Sequence, residues 1–391
     1  MNLLMVSGDR QVVVGEKGPF WSMQREFSRH FGRVDVLCPK PSGDVVTTTI
    51  HGNVHFHPAP VARAGVSGGG AVVRWIGEAG ARLVREHGAA LVVSHDYGSF
   101  TNGRGAWRVT QATGVPFVSE LHHVQGHPVA RDARERFEKL LTRLYVAWAK
   151  PRALGFRVVN ATEMPALLRT WGVPDDKVHV LPSQYLDLAV FTPPADGAPH
   201  EVAQDVVFAG RAVANKRVDV LVEALARLKE RGRPTSALLI GKGPLRPKIE
   251  ALARARGVEV RFVDWVAEPA DLARHYRASR VCVCASTCEG GPRFTVEAMA
   301  CGVPVVSTAV GIMPDLLSDG AAGRSVGWSV EELAQGLDEV LRDEAARRAM
   351  GAEAARRVQR FEYHAALAGY ANGLKALVGA APEPARLEAA R

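Results

Sequence analysis

The chain has 391 residues, of which 47% are hydrophobic and 23% are charged. These values exclude a disordered or collagen-like chain, and single hydrophobic cores stop growing at about 250–300 residues, so the length predicts two domains. The formal net charge of +8 favours anionic partners in general, but the basic residues are spread along the chain and do not indicate a nucleic-acid partner.

The N-terminal residues 1–9 contain a short apolar run with no basic segment before it, which indicates a first strand rather than a signal peptide. No apolar run reaches the roughly 18–20 residues that a membrane-spanning helix needs. The 5 cysteines form no Cys-x-x-Cys pair, so we expect reduced thiols and no metal site. These features predict a cytoplasmic protein.

Short runs rich in Val, Ile and Leu alternate with longer helical patterns, which is typical of parallel βαβ units with helices on both faces of a sheet. Such runs predict a first doubly wound domain over residues 1–190. Its predicted strands are Leu3–Val6, Val34–Leu37, Leu91–Ser94, Pro116–Ser119 and Arg157–Asn160.

The strand pattern restarts after a Pro/Gly-rich stretch, which predicts a linker at residues 191–204 and a second domain at 205–355. We expect residues 356–378 to form a helix that crosses back onto the first domain, and 379–391 to be a frayed tail. The predicted fold is α/β, with two doubly wound, Rossmann-like domains and a cleft between them. The strands predicted in the second domain are Asp205–Ala209, Ser236–Ile240, Val258–Val263, Val281–Ala285 and Val303–Ser307.

A loop of the second domain carries two cations, Arg211 and Lys216, just before the amphipathic segment Val218–Glu230. The first turn of a helix presents backbone N–H groups and the positive end of its dipole, so an anion is favoured there. Two cations beside it would complete a diphosphate site. A pair of solvated surface charges is the alternative that this loop alone leaves open.

A second loop follows the strand Val281–Ala285 and places Glu289 at the edge of the sheet. Gly290 and Gly291 allow a close approach of the backbone. Glu297 comes eight positions after Glu289, about two turns into the next helix. The two carboxylates are therefore placed to accept hydrogen bonds from two separate sets of sugar hydroxyls.

Taken in order, these motifs resemble those of the family 4 glycosyltransferases, which are retaining enzymes of the GT-B fold. The resemblance covers most of residues 205–325 and is weaker in the first half, which in this family varies with the acceptor. It rests on Gly-Arg-x4-Lys at 210–216, Gly-Lys-Gly-Pro at 241–244, Arg-Phe-Val-Asp-Trp-Val at 261–266, Glu-x7-Glu-Ala-Met-Ala-Cys-Gly-Val-Pro at 289–304 and Val-Gly-Ile-Met-Pro-Asp at 310–315.

The resemblance implies that the second domain holds a nucleoside-diphosphate sugar. Arg211 and Lys216 would neutralise the diphosphate, since fixed cations stabilise a departing anion. Gly290 and Gly291 would lend backbone amides near the phosphate and the sugar.

The resemblance also assigns the remaining parts of the donor. Glu297 would bind the ribose hydroxyls and Glu289 the hydroxyls of the transferred sugar, while Trp265 and Val266 would line the base pocket. No Asp-x-Asp motif or histidine cluster calls for a metal, so we expect no metal and no cofactor.

In the first domain, the segment Pro116–His123 resembles the strand that carries an active-site histidine in this family. His122 is the matching residue and would contact the donor sugar or the acceptor, with His123 where an aspartate or glycine is more usual. A buried structural histidine is the alternative for either. The loop Val14–Phe20 resembles the family's first glycine-rich loop but lacks the common Gly-Gly pair, so only Gly18 is carried over from it.

Three further features of the first domain have less specific patterns. His95 and Asp96 follow a predicted strand and so point into the same crevice, where they could form part of the acceptor wall. His51, His55 and His57 favour an exposed strand over a metal site. The basic segment Arg131–Lys150, with apolar residues interleaved, could dock on an anionic membrane, although such a helix more often buries its apolar stripe against the sheet.

The sequence therefore predicts a glycosyltransferase that moves a sugar from a nucleoside-diphosphate sugar to an acceptor bound by residues 1–190, with retention implied by the resemblance. His122 and Glu289 are its predicted catalytic residues. The acceptor is a glycan, a lipid-linked intermediate or a small molecule, and the positive charge is compatible with peripheral contact at the inner face of the membrane. A nucleotide-sugar epimerase of the same fold and a non-catalytic nucleotide-sugar-binding protein remain as alternatives.

Overall fold

The computed structural model describes residues 1–60, 65–194 and 202–379. Its first half contains the strands β1 (Asn2–Val6), β2 (Val34–Cys38), β3 (Thr49–Ile50), β4 (Val54–Pro58), β5 (Ala89–His95), β6 (Phe117–Leu121), β7 (Gly155–Val158) and β8 (Val178–Val180). These strands form one sheet in the order β3-β4-β2-β1-β5-β6-β7-β8, in which β3 is antiparallel to β4 and the other pairs are parallel. The helices of this half are α1 (Pro19–His30), α2 (Gly65–His87), α3 (Thr101–Thr113), α4 (Ala133–Ala149) and α5 (Glu163–Thr170).

The second half forms a parallel sheet of six strands, β9 (Gln204–Ala209), β10 (Ala237–Ile240), β11 (Val260–Val263), β12 (Ser279–Cys284), β13 (Val305–Thr308) and β14 (Gly323–Val326). Their order is β11-β10-β9-β12-β13-β14. The helices are α6 (Val218–Glu230), α7 (Arg246–Arg256), α8 (Pro269–Arg277), α9 (Arg293–Ala300), α10 (Met313–Leu317), α11 (Val330–Arg342), α12 (Glu344–Val358) and α13 (Tyr363–Gly379).

The central strands form because their side chains are apolar on both faces. Leu3, Leu4 and Met5 of β1 are fully buried, as are Val206 and Val207 of β9. Parallel sheets covered by helices on both faces require such continuous apolar runs. All ten predicted strands are present within two residues of their predicted ends, and the prediction of two doubly wound α/β domains is confirmed.

β9 begins at Gln204, the last residue of the stretch predicted as linker. The Gln204 side chain donates to the hydroxyl of Ser279 at 2.6 Å and to the carbonyl of His275 at 3.2 Å, which ties the start of the strand to its neighbour β12. Residues 195–201 of the predicted linker and 380–391 of the predicted tail lie outside the described residues.

The last helix, α13, returns from the second domain to the first and packs against α1. The hydroxyl of Tyr363 donates to the carbonyl of Ser22 at 2.5 Å and accepts from Nε of Arg25 at 3.2 Å. Two turns further along α13, the ring of Tyr370 lies 5.0 Å from the ring of Phe27. The fold of the first domain is therefore completed by a C-terminal segment.

The expectation that α4 buries its apolar stripe against the sheet is wrong for the side chains on the outer face of this helix. Tyr145, Val146 and Ala149 do face the core of the first domain. Phe137 and Leu144 instead lie on the opposite side and are exposed. Two turns of large apolar side chains therefore remain uncovered on the outside of the domain.

The histidines predicted on an exposed strand lie on or beside β4, where His57 Nε2 is 2.8 Å from Asp35 Oδ1. Within residues 1–60, 65–194 and 202–379, no group of three or more His, Cys, Asp or Glu side chains could hold a metal ion. All 5 cysteines are buried and free. No helix in the described part of the chain combines the length and apolarity needed to cross a membrane.

Candidate active site

The carboxyl ends of β9, β10, β11 and β12 open into one cavity of about 790 Å³. Ligands of open parallel sheets bind at this edge, where the loops after successive strands converge. Seven residues singled out from the sequence line the cavity, namely Arg211, Lys216, Trp265, Val266, Glu289, Gly291 and Glu297.

Lys216 and Glu289 form an ion pair at this cavity, in which Lys216 Nζ donates to Glu289 Oε1. Their side chains are only 16% and 12% exposed. Backbone contacts hold the two loops together, since the Thr287 N–H donates to the carbonyl of Asn215 at 2.9 Å. The pair therefore links the loop expected to bind diphosphate to the loop expected to bind sugar.

Arg211 lines the same cavity with an exposed side chain, and it has no ion-pair partner among the residues that the structure describes. The neighbouring cations differ in this respect. Lys242 lies 3.8 Å from Asp264, and Arg293 donates to Glu297 at 2.9 Å. Arg211 is thus a cation of the cavity whose charge is available to an incoming anion.

Glu297 lies on α9 with its carboxylate at the inner end of the cavity. The hydroxyl of Tyr276 donates to Oε2 at 3.1 Å and Arg293 Nε donates to Oε1 at 2.9 Å. Burial raises the pKa of Glu297, and both contacts oppose that shift because they stabilise the charged form. Each carboxylate oxygen retains a lone pair that can accept from a ligand hydroxyl.

Gly290 and Gly291 are two of the places where the second domain touches the first. A Cβ on Gly290 would lie 2.7 Å from the backbone carbonyl oxygen of His122, and one on Gly291 would lie 1.9 Å from Nε2 of Gln184. Gln184 Nε2 also donates to the carbonyl of Gly291 at 3.1 Å. These glycines therefore bring the predicted donor site directly against the predicted catalytic histidine.

Behind His122, three neighbouring strands place charged side chains side by side. The register pairs His95 on β5 with Glu120 on β6, and Glu120 with Arg157 on β7. His95 Nε2 lies 2.6 Å from Glu120 Oε2, and Arg157 Nη1 donates to Glu120 Oε1 at 3.0 Å. The Glu120 carboxylate is fully buried, and the Arg157 guanidinium holds its pKa well below the usual range despite burial.

The same arginine determines the protonation of His122. Arg157 Nη1 lies 3.1 Å from His122 Nε2, and a guanidinium can only donate, so Nε2 accepts and Nδ1 carries the proton. Glu120 Oε2, at 3.8 Å, is beyond hydrogen-bonding distance. Desolvation and the nearby Arg157 charge lower the pKa of His122 to about 4, although the Glu120 carboxylate opposes this shift. His122 is therefore a neutral imidazole at neutral pH.

A second cavity, of about 260 Å³, lies at the carboxyl ends of the first sheet. It contains the predicted acceptor-side residues His95, Asp96 and His123 together with His122 and Glu120. Gly290, whose neighbours Glu289 and Gly291 line the larger cavity, lies against the backbone of His122, which lines the smaller one.

Asp96 has a structural role that its position in the sequence did not reveal. Its carboxylate accepts from the hydroxyls of Ser94 at 2.7 Å, Ser119 at 2.6 Å and Tyr145 at 2.7 Å, and from the Gly103 N–H at 2.6 Å. Burial raises its pKa to about 6 against these contacts. Asp96 lines the acceptor-side cavity, but its oxygens join α3 and α4 to the sheet.

Two other predicted residues lie at the margins of the candidate site. Gly18 is the N-cap of α1 and is absent from the described linings of both cavities. Trp265 is 73% exposed at the rim of the larger cavity, which leaves its ring face free for stacking.

Several residues of the site were missed from the sequence. The signal for Arg157 was a charge inside an otherwise apolar strand, which requires a buried partner. Tyr370, whose hydroxyl donates to the Glu120 carboxylate, gave no comparable signal, because an apolar helix commonly contains a tyrosine. Tyr276 was missed because its contact with Glu297 depends on how α8 packs beside α9. Arg293 did have a local signal, since it lies four residues before Glu297 on the same helix.

Comparison with known proteins gives a consistent result. Residues 196–357 match the family described as Glycosyl transferases group 1, and residues 20–184 match the Glycosyl transferase 4-like domain. The D-inositol 3-phosphate glycosyltransferase of Kribbella flavida is 31% identical over 303 residues, which cover 72% of this chain and 70% of that protein. The enzyme of the same name from Kineococcus radiotolerans is 33% identical over 308 residues, covering 70% and 68% of the two chains.

Solved structures share the fold. Sucrose-phosphate synthase from Thermosynechococcus elongatus superposes with a TM-score of 0.78 at 21% identity, covering 97% of this chain and 100% of that one. Anabaena Alr3699/HepE, in complex with UDP and glucose, superposes with a TM-score of 0.70 at 18% identity, covering 96% and 100%. Both have the two-domain arrangement described above.

Proposed function

The chain belongs to the family 4 glycosyltransferases of the GT-B fold, and from this premise we propose that it transfers a hexosyl residue from a nucleoside-diphosphate sugar with retention of configuration. The observation that carries the proposal is the cation Arg211, which faces the larger cavity without a carboxylate partner among the described residues, beside the Lys216–Glu289 pair. A diphosphate bound there would meet two fixed cations near the first turn of α6.

The rest of the donor fits the remaining lining. Glu297, deep in the cavity, would accept from the ribose hydroxyls, and Trp265 and Val266 would flank the base. Glu289 would hold the transferred sugar through the oxygen that Lys216 leaves free. The HepE structures contain UDP or UDP-glucose, which makes uridine diphosphate sugars the first donors to test.

We assign retention to attack on the face from which the diphosphate departs. Arg211 and Lys216 would stabilise the charge that develops on the leaving phosphate, one of whose oxygens would take the proton of the acceptor hydroxyl. The neutral His122, with its proton on Nδ1, would donate a hydrogen bond to a substrate oxygen and orient it. No step requires a metal or a cofactor.

The acceptor would enter the smaller cavity beside His95 and His123. The relatives named above act on D-inositol 3-phosphate by name, whereas the acceptor of this chain falls in the broader class of glycans, lipid-linked intermediates and small molecules. We place the enzyme in the cytoplasm with peripheral access to the inner face of the membrane.

The test is a thermal-shift and calorimetry panel of UDP-, GDP-, ADP- and TDP-sugars with the wild type and Glu297→Ala, followed by NMR assignment of the product anomer. A true donor raises the melting temperature of the wild type by mass action, and Glu297→Ala loses that response. Transfer by Glu297→Ala at wild-type efficiency would overturn the donor-site assignment. Epimerised donor without acceptor, or binding without turnover, would favour the epimerase or the non-catalytic protein.

A further inference from the structure

The outer face of α4 carries a continuous row of large apolar side chains. Phe137, Leu140, Leu141 and Leu144 are 58%, 49%, 37% and 58% exposed. Their spacing of three and four residues aligns them along one side of the helix. We call these four residues the α4 stripe.

The α4 stripe does not attach the helix to its own domain. Tyr145, Val146 and Ala149 on the opposite face already pack in the core formed with β6 and β7. A surface helix normally places polar residues on its outer face, so a contiguous apolar row there indicates a contact outside the domain.

Unpaired cations flank the α4 stripe. Arg136 and Arg143 are exposed, and neither has an ion-pair partner among the described residues. The glutamates of the helix are already occupied, Glu135 by Arg131 and Glu138 by Arg134. Residues 131–152 contain seven Lys or Arg and three Asp or Glu, a net charge of 7 − 3 = +4.

We propose that the α4 stripe and its flanking arginines dock this protein on an anionic lipid bilayer. The apolar side chains would enter the boundary between headgroups and acyl chains, while Arg136 and Arg143 reach the lipid phosphates. Charge complementarity selects this partner, because the stripe supplies hydrophobic area and its borders supply unneutralised positive charge.

A second copy of the chain fits this surface less well. A two-fold contact would place the α4 stripe against itself and bring the arginines of both copies together. The 17-residue helix is about 25 Å long and its face about 10 Å wide, so the stripe offers about 250 Å², well below the roughly 800 Å² per partner of a stable interface.

The docking surface adjoins the acceptor side of the active site. α4 begins eleven residues after His122, and Gln125 Nε2, in the intervening loop, donates to Glu135 Oε1 in its first turn at 2.8 Å. A membrane bound to α4 would therefore lie beside the acceptor entrance. This step, which rests on the proposed function, favours lipid-linked acceptors over soluble ones.

The docking is tested by co-sedimentation of the full chain with vesicles of phosphatidylcholine alone and of equimolar phosphatidylcholine and phosphatidylglycerol, at low and high salt. We expect binding only to the anionic vesicles, weakened by salt. The double variant F137S/L144S should reduce partitioning about tenfold or more, and R136Q/R143Q about fivefold for each arginine. The exposed control substitutions V202S and R342Q should leave partitioning unchanged.

Three outcomes would overturn the proposal: failure of the wild type to bind anionic vesicles, unchanged binding by F137S/L144S, or a dimer in solution that F137S/L144S dissociates. Donor binding, measured by calorimetry on the same variants, should remain at the wild-type level. A protein that binds donor but not lipid would refute the docking and leave the proposed function intact. A protein that binds lipid but not donor would refute the proposed function and leave the docking intact.

Discussion

The hydroxyl of Tyr370, on the C-terminal helix, donates to the buried carboxylate of Glu120, two residues before the predicted catalytic histidine. The Arg157 guanidinium lies 3.8 Å above the Tyr370 ring and donates to the same carboxylate oxygen at 3.0 Å. Arg157 also contacts His122. The returning helix α13 therefore completes a buried network that fixes the orientation and protonation of His122.

This relationship makes Tyr370 a positioning residue. Tyr370→Phe keeps the ring under Arg157 but removes the hydroxyl, so we expect kcat to fall about tenfold with the KM for donor unchanged and the free energy of unfolding to fall by about 1–2 kcal/mol. Tyr363→Phe is the matched control, since it removes a hydrogen-bonded hydroxyl from the same helix away from His122. Equal kcat losses in the two variants would contradict the assignment.

The neutrality of His122 is directly measurable. Its pKa in the folded state is about 4, below the unfolded value of about 6.5, so the folded state favours the neutral form. The rate of transfer should be independent of His122 protonation from pH 6 to 8 and should fall as the pH approaches about 4. The contribution of His122 to the free energy of unfolding should be lost as the pH falls from about 6.5 to about 4. NMR titration of the His122 ring protons measures the pKa, and a midpoint near 6.5 would refute the lowered pKa of this residue.

Arg211 should contribute to donor use and not to folding. Its side chain is exposed and unpaired within the described residues, so Arg211→Gln should leave the melting temperature unchanged while lowering kcat/KM about 100-fold through lost charge stabilisation of the leaving diphosphate. Arg254→Gln, an exposed substitution on α7 outside the cavity lining, is the control. If the two variants retain equal activity, Arg211 does not contact the donor.

The two glycines of the domain contact should respond differently to alanine. At Gly291 the obstacle is the end of the Gln184 side chain, whereas at Gly290 it is the backbone of His122. We expect both single alanine variants to raise the KM for donor, and Gln184→Ala to restore Gly291→Ala but not Gly290→Ala. Steady-state kinetics of the two single alanine variants, and of each one combined with Gln184→Ala, tests this. Equal restoration of both glycine variants would mean that the contact is not steric.

The sequence supported the donor side better than the network behind His122, and the reason is physical. Arg211, Lys216 and Glu289 follow apolar strands directly, and Glu297 lies on the helix that begins after the Glu289 loop. Local pattern and the geometry of open sheets were therefore sufficient to bring them together. The contact between Glu120 and Tyr370 joins residues 250 positions apart and depends on the return of α13 over the first domain. No local periodicity encodes such a contact.

Edge strands were missed for a related reason. β3 has only two residues, β8 carries His179 and β14 carries Arg324, so none of them shows the continuous apolar run of a strand buried on both faces. At the margin of a sheet, backbone pairing with one neighbour holds such a strand and its side chains can remain polar. The predicted core strands of each sheet were therefore correct, whereas of the edge strands only β11 was predicted.

The final prediction concerns Glu163, which joins the domains by accepting from the Gly311 N–H. Burial raises its pKa to about 8, and the neighbouring Asp315 and Glu289 carboxylates act in the same direction, although the Gly311 contact opposes them. His127 Nε2, the nearby basic group, lies 3.9 Å away, and burial holds its pKa at about 4, so it supplies no charge at neutral pH. Glu163 should therefore be protonated in the folded state at neutral pH and largely ionised when unfolded.

Because the folded pKa exceeds the unfolded value of about 4.5, stability due to Glu163 is fully present below about pH 4.5 and is lost as the pH rises to about 8. Glu163→Gln keeps an oxygen for the Gly311 N–H but cannot ionise, so its advantage in unfolding free energy over the wild type should grow by about 2–4 kcal/mol between pH 5 and 8. Denaturant unfolding of the wild type and Glu163→Gln at the two pH values measures this difference. The contributions of all other titrating groups cancel because they are the same in both proteins. A difference that stays constant with pH would mean that Glu163 is ionised in the folded protein and that the domain contact tolerates its charge.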